Sequence, residues 1–175
     1  MKATGIVRRV DELGRLVIPK EIRRTMRLAE GTPLEIFTDR EGQIILKKYS
    51  PMMELGSFAK QYAESVAQTM NQKVAVSDRD QIIAVAGGGK RELLGKTISR
   101  QLEEMIINRE NSIQAGLDKK TIPLISGDED SYSAQAIYPI CCEGDCIGAV
   151  ILYSRENQTH FSETEYKAAA CAASF

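Results

Sequence analysis

Eight basic residues fall within the first 27: Lys2, Arg8, Arg9, Arg15, Lys20, Arg23, Arg24 and Arg27. Only three acids accompany them, Asp11, Glu12 and Glu21. A guanidinium is planar, always charged and forked, so it suits phosphate oxygens and guanine edges better than an ammonium does. The chemistry of this set is non-covalent recognition of a polyanion. The plain alternative is a solvated charged face, the usual fate of a charge run. Two features oppose it: the excess is arginine, and the arginines fall on strand-like, turn and helix-like positions, not in a disordered tail. No helix-turn-helix pattern, zinc-finger spacing or aromatic RNA-binding motif accompanies them.

Other residues invite chemistry less well. Ala86-Gly87-Gly88-Gly89-Lys90 resembles a phosphate loop, but Ala84 stands where the first glycine should be and Arg91 replaces Ser/Thr. The plain reading is a flexible link from strand to helix; the other is an anion at the following helix start. Cys141, Cys142 and Cys146 flank a Glu143-Gly144-Asp145 turn. They read as small strand residues first, with redox sensitivity or soft-metal binding as alternatives. Four cysteines in 175 residues are too few for a disulfide-built fold and fit a reducing cytosol. The single histidine, His160, reads as a solvated loop residue, so no catalytic triad or metal site is assembled. The reading is therefore a non-enzyme that requires no cofactor and binds no metal.

These residues need elements to hold them. Residues 3–10 (ATGIVRRV) and 13–18 (LGRLVI) are strand-like, joined at Asp11-Glu12-Leu13-Gly14 as a short hairpin. Pro19 suits a first helical position. In the helix it opens, Ile22 and Met26 form a narrow apolar stripe, with Lys20, Arg23, Arg24 and Arg27 on another side and Gly31 at its end. A second hairpin runs over 34–38 and 43–48, turning at Asp39-Arg40-Glu41-Gly42 and carrying Lys47 and Lys48. Hairpin, short helix, hairpin in fifty residues is close to the lower limit for a self-sufficient core. Pairing with a second copy would close the open strand edges, so the expectation is an obligate homodimer.

The net charge of −1 hides two halves. Residues 1–50 hold eleven basic and seven acidic residues, and residues 51–175 hold twelve and seventeen. The expected division is therefore a basic domain over 1–50 and an acidic one over 51–175, parted near Pro51. No internal repeat is visible. No eighteen-residue apolar run exists to span a membrane, and the start has no secretory apolar region.

In the acidic part, residues 52–70 repeat apolar side chains at helical spacing. Strands are expected at 73–77, 81–86, near 120–125, 134–141 and 146–153, with helices at 98–109 and from 163. Ser162 and Glu165 form a capping box, with Phe161 and Tyr166 at staple spacing. The apolar pattern runs to Phe175, which predicts a short tail beyond it. The order is α+β with a mainly antiparallel sheet.

The stretch TGIVRRVDELGRLVIPKEIRRTMRLAEGTPLEIF, followed by IILKKY, resembles the DNA-binding domain of the AbrB family of bacterial transition-state regulators. The resemblance covers about residues 3–49. It implies a swapped-hairpin β-barrel built by two chains, binding A/T-rich, deformable double-stranded DNA without a strict consensus. The DNA-contacting positions it implies are Arg8, Arg15, Arg23 and Arg24, and more weakly Arg9. Lys20, Arg27, Lys47 and Lys48 are added from charge alone. The acidic part resembles a GAF domain, which implies either a sensor of an unidentified small-molecule ligand or an oligomerisation module that makes a tetramer possible. Taken together, the resemblances imply a cytoplasmic, nucleoid-associated regulator that activates and represses sporulation genes. Two other classes stay open: an antitoxin-like interaction module, and a GAF-like thiol-dependent reductase of oxidised methionine.

Overall fold

The computed structural model describes residues 4–50, 52, 56–112, 121–128, 132–142, 144–156 and 159–174, and the backbone alone of 113–115. Residue 3, Pro51, residues 53–55 at the expected start of the first body helix, Lys120, Glu143 and Phe175 lie outside them. The chain divides into two compact units, Met1–Tyr49 and Ser50–Phe175, here called the head and the body.

The head holds α1 (Lys20–Thr25) and a two-stranded antiparallel ribbon of β1 (Leu34–Thr38) and β2 (Ile44–Lys48). The runs expected as its first two strands form a turn but no ladder. Asp11 N donates to the Arg15 carbonyl (3.0 Å) and Gly14 N to that of Asp11 (3.0 Å), while residues 4–10 and 15–19 join no strand ladder among the described residues. Pro19 is the helix N-cap and not its first residue, because its ψ of 148° is still extended. Gly31 does not end this helix. Arg27 does, at φ 52°, with its N–H on the Arg24 carbonyl (3.2 Å) and that of Leu28 on the Arg23 carbonyl (2.7 Å). That pair of bonds is a Schellman stop, with arginine where glycine is usual.

Burial sets the head apart. Among its described residues only Pro19 is buried. Val7, Val17 and Ile44 are 83, 72 and 72% exposed. A cavity of about 450 Å³ opens between Ile6, Leu16, Ile18, Ile22, Leu34 and Leu46. Among its described residues the segment has apolar side chains in strand-like and helix positions but no buried core of its own.

The body is built conventionally. It contains α2 (Gly56–Met70), β3 (Lys73–Asp78), β4 (Ile82–Ala86), α3 (Lys90–Leu93), α4 (Arg100–Ile107), β5 (Ser112–Ala115), β6 (Ala134–Cys142), β7 (Asp145–Ser154) and α5 (Glu163–Ser174). The strands form one antiparallel sheet in the order β4-β3-β7-β6-β5. Its middle strand, β7, is apolar on both faces because helices cover both. On one face Val74, Val76, Val150 and Leu152 meet alanines of α2 and α5, whose small side chains let the helices lie close. On the other, Ala75, Ile137, Ile151 and Tyr153 pack against Leu93, Leu102, Ile106 and Leu124.

The strand expected near 120–125 is not one; β5 at Ser112–Ala115 takes its place beside β6. The buried Gln135 explains the difference. Its side-chain amide accepts from Ile122 N (2.9 Å) and donates to Ile122 O (2.6 Å), so one side chain satisfies the backbone that a ladder would have served. The capping box forms as spaced. The Glu165 carboxylate accepts from Ser162 N and Ser162 Oγ (both 2.7 Å), and Thr164 N donates to Ser162 Oγ (3.1 Å). Phe161 is buried in the core.

Candidate nucleic-acid interface

Two turns in the head share one design. Asp11 Oδ1 accepts from Leu13 N (3.0 Å) and Arg15 N (2.8 Å). Asp39 Oδ1 accepts from Glu41 N (3.0 Å) and Gln43 N (2.9 Å). Each is an aspartate whose side chain ties down its own turn, closed by a glycine at φ 73° or 79°. The two D-x-x-G sequences were the signal, and they make a short local repeat that reading for longer periods passes over.

Only the first turn adds an ion pair. Arg15 Nε lies 2.7 Å from Asp11 Oδ2 while its side chain stays 69% exposed. Asp11 therefore fixes the stem of Arg15 and leaves its terminal nitrogens outward. The Arg15 backbone and side-chain hydrogen bonds hold the Asp11 carboxyl below its ordinary value of 3.8, against a small desolvation effect, with Leu13 N adding to them. Asp11 is a functional candidate that reading for basic residues misses.

The other expected positions are all exposed: Arg8, Arg9, Lys20, Arg23, Arg24, Arg27 and Lys47. Arg8 Nη1 donates to the Val7 carbonyl (3.0 Å). Lys20, Arg23 and Arg24 lie on one side of α1, and Arg23 and Arg24 occupy its last turn, where positive charge suits the helix end. Arg27 follows on the left-handed stop. Lys47 differs: its ammonium sits 4.6 Å over the Phe37 ring, and the ladder sets it opposite Glu35. Its charge is engaged within the ribbon, which makes it a weaker phosphate ligand than the arginines. Lys48 is half-buried.

In the body, the remaining candidates resolve as structure. Gly87, Gly88 and Gly89 link β4 to α3 with φ of 75°, 131° and 77°. A side chain on Gly87 would meet the Gln72 carbonyl, and one on Gly89 the Tyr153 hydroxyl, each at 2.5 Å. Packing accounts for the glycines. The sheet face under α3 and α4 is filled by Leu124, Tyr132 and Tyr153. Burial pushes the Tyr153 phenol up to about 12. A polar cleft of about 360 Å³ lies at the strand ends between Asn71, Gln72, Lys73, Gly87, Tyr153 and Glu156. Lys73 Nζ stands 3.6 Å from Glu156 there. Cys141 and Cys146 are joined by a disulfide, and Cys141 and Cys142 are exposed, which corrects their reading as small buried or half-buried strand residues; Cys146 is buried as expected, and Cys142 and Cys171 are unbonded. His160 is exposed. Among the described residues no helix is long and apolar enough to cross a membrane.

Residues 54–175 match the family described as stage V sporulation protein T C-terminal, transcription factor. Residues 7–53 match the one described as antidote-toxin recognition MazE, bacterial antitoxin. Stage V sporulation protein T of Bacillus subtilis (strain 168) is 49% identical over 175 residues, covering 100% of this chain and 96% of that protein. The transition state regulatory protein AbrB of the same organism is 66% identical over 53 residues, 30% of this chain and 54% of that one. The crystal structure of the GAF domain from Acinetobacter phosphoenolpyruvate-protein phosphotransferase covers 73% of this chain and 80% of its own, at 13% identity and a TM-score of 0.56. That likeness is of fold alone, and it gives the body a GAF-like architecture. The chain belongs to the stage V sporulation protein T family, as a sporulation transcription regulator with an AbrB-type head and a GAF-like body.

Proposed function

We propose that the head binds double-stranded DNA as a homodimer, through Arg8, Arg15, Arg23 and Arg24 of each chain, with Arg9, Lys20 and Arg27 at the margin and Lys47 weakest. The carrying observation is a head in which, among the described residues, only Pro19 is buried, with exposed arginines on the first turn (Arg15), on α1 (Arg23 and Arg24) and on its left-handed stop (Arg27). A second copy supplies the partner strands that residues 4–10 and 15–19 lack, and covers the apolar cavity. Arginines spread over such a face hold phosphates and read groove shape, which favours A/T-rich, deformable DNA over a strict consensus.

For the body we favour oligomerisation over ligand sensing. Its internal face is filled with side chains, and α2 leaves Phe58, Tyr62, Val66 and Met70 only partly covered along one stripe. A body contact added to the head contact makes a tetramer. No cofactor is required, no enzymatic role is assigned, and the regulator works in the cytoplasm at the nucleoid. The polar cleft beside Lys73 is where an unidentified small molecule would be sought. The MazE-type match supports an antitoxin-like module for the head, but it covers 47 residues, whereas the regulator's identity runs through the whole chain.

The test is DNA binding over a salt series. Eight arginine–phosphate contacts per dimer give a log–log slope of roughly −7. Replacing Arg15, Arg23 and Arg24 by Ala should flatten it to about −2. Equal binding by the triple variant, at unchanged oligomeric state, removes the proposed surface.

A further inference from the structure

We propose that Cys141 and Cys146 form a reversible thiol–disulfide centre in the body, closed by a hydroperoxide and opened by a dithiol. This does not depend on the DNA-binding reading. The two cysteines face each other across the β6–β7 ladder, with Cα atoms 3.9 Å apart, and are bonded. Cys141 is exposed and Cys146 is 4% exposed.

Three features argue for a switch over a staple. The bond spans five residues of a hairpin that its own ladder already closes, so it removes little further chain entropy. It sits at an exposed hairpin end, where a reductant reaches it. In a reducing compartment a disulfide of this kind is transient. The hairpin is also gripped by two guanidinium groups. Arg79 Nε donates to the Cys146 carbonyl (2.5 Å), and Arg109 Nη2 donates to the Gly144 carbonyl.

The chemistry balances. The Cys141 thiolate attacks the distal oxygen of a hydroperoxide, forming a sulfenic acid and releasing an alcohol, or water when the oxidant is hydrogen peroxide. The Cys146 thiol then displaces that oxygen as water and forms the S–S bond. Two thiols lose two electrons and two protons, and the O–O bond is reduced. A dithiol reverses the change by two exchange steps and leaves as its own cyclic disulfide.

The consequence reaches the body's first residue. Arg79, held by Cys146, follows Asp78. Asp78 Oδ1 accepts from Asp80 N and Gln81 N (both 2.7 Å), and Asp78 Oδ2 accepts from Ser50 Oγ (3.1 Å). Closing the disulfide fixes the Cys146 carbonyl, and with it the turn that anchors Ser50.

The experiment treats the full chain with dithiothreitol or hydrogen peroxide, alkylates it in denaturant and reads it by mass spectrometry. We expect four alkylated cysteines after dithiothreitol, two after peroxide with Cys142 and Cys171 as the labelled pair, and four again on re-reduction. Cys141→Ser should show three in every state, and Cys146→Ser three after dithiothreitol and two after peroxide, with Cys141 held as the unresolved sulfenic acid. Four labelled thiols after peroxide, a different pairing, or irreversible oxygen adducts at Cys141 would overturn the proposal. Amide exchange at Asp80 and Gln81 should slow by about threefold or more on oxidation of the wild type but not of Cys146→Ser. Unchanged exchange in a fully oxidised wild type overturns the reach to Ser50.

Discussion

At the scale of the residue, Arg27 and Asp11 carry the sharpest expectations. A non-glycine residue at φ 52° costs of the order of 1 kcal/mol, because Cβ crowds the backbone there. An arginine held in that position is conformationally expensive and so points to a use for its charge. Arg27→Gly should raise the stability of the head by about 1 kcal/mol in denaturant titration and weaken DNA binding. Equal or tighter binding would show that Arg27 has no contact. Asp11 has a pH signature. Its folded-state pKa is depressed, so its contribution to the turn is complete above the unfolded carboxyl value and is lost as pH falls through the folded one. Carboxyl NMR should find Asp11 titrating below 3.8, with the Leu13 and Arg15 amides shifting in step. Asp11→Asn keeps an acceptor for the turn but loses the hold on Arg15 Nε. We expect it to leave low-salt binding intact while narrowing the preference for A/T-rich over mixed DNA.

At the scale of the element, the predictions concern single contacts in the body. Ser99 Oγ accepts from Leu102 N (3.0 Å) and caps α4 in a buried position. Ser99→Ala should cost about 1 kcal/mol in thermal unfolding. Gly148 pairs with Asp78 across β3 and β7, and a side chain there would collide with the Ser77 carbonyl. Backbone of two inner strands cannot give way as a side-chain tip can. Gly148→Ala is therefore expected to destabilise the body by about 1–3 kcal/mol, and a melting point equal to the wild type would contradict the packing.

At the scale of the whole molecule, the two units have different sources of stability. The body buries its own core on both faces of one sheet. Among its described residues the head leaves Val7, Val17, Ile36 and Ile44 exposed and buries no aliphatic core of its own. Replacing Val17 and Ile36 together by Glu should unfold the head, abolish DNA binding and leave the body's thermal transition in place. Calorimetry reading two transitions in the wild type and one in the variant would show it. Loss of both transitions would mean that the head supports the body.

Much of this was legible in the chain because it is local. The arginine set, the capping box at Ser162 and Glu165, the ribbon at residues 34–48 and the apolar run of β7 depend on neighbours within a few positions, and sequence spacing records such neighbours directly. The arginines' identity and exposed placement needed no tertiary contact. The remainder depends on partners far along the chain. Gln135 meeting Ile122 turned an expected strand into an irregular segment, and the register of β6 on β7 set Cys141 against Cys146. The left-handed turn at Arg27 placed an arginine where reading by propensity had put a stop four residues later. The sequence by itself determined which surfaces are basic, which stretches are apolar and where the chain turns. The tertiary structure decided which of those apolar stretches find cover within one chain, because burial is a property of what packs opposite, and opposite neighbours are chosen by topology.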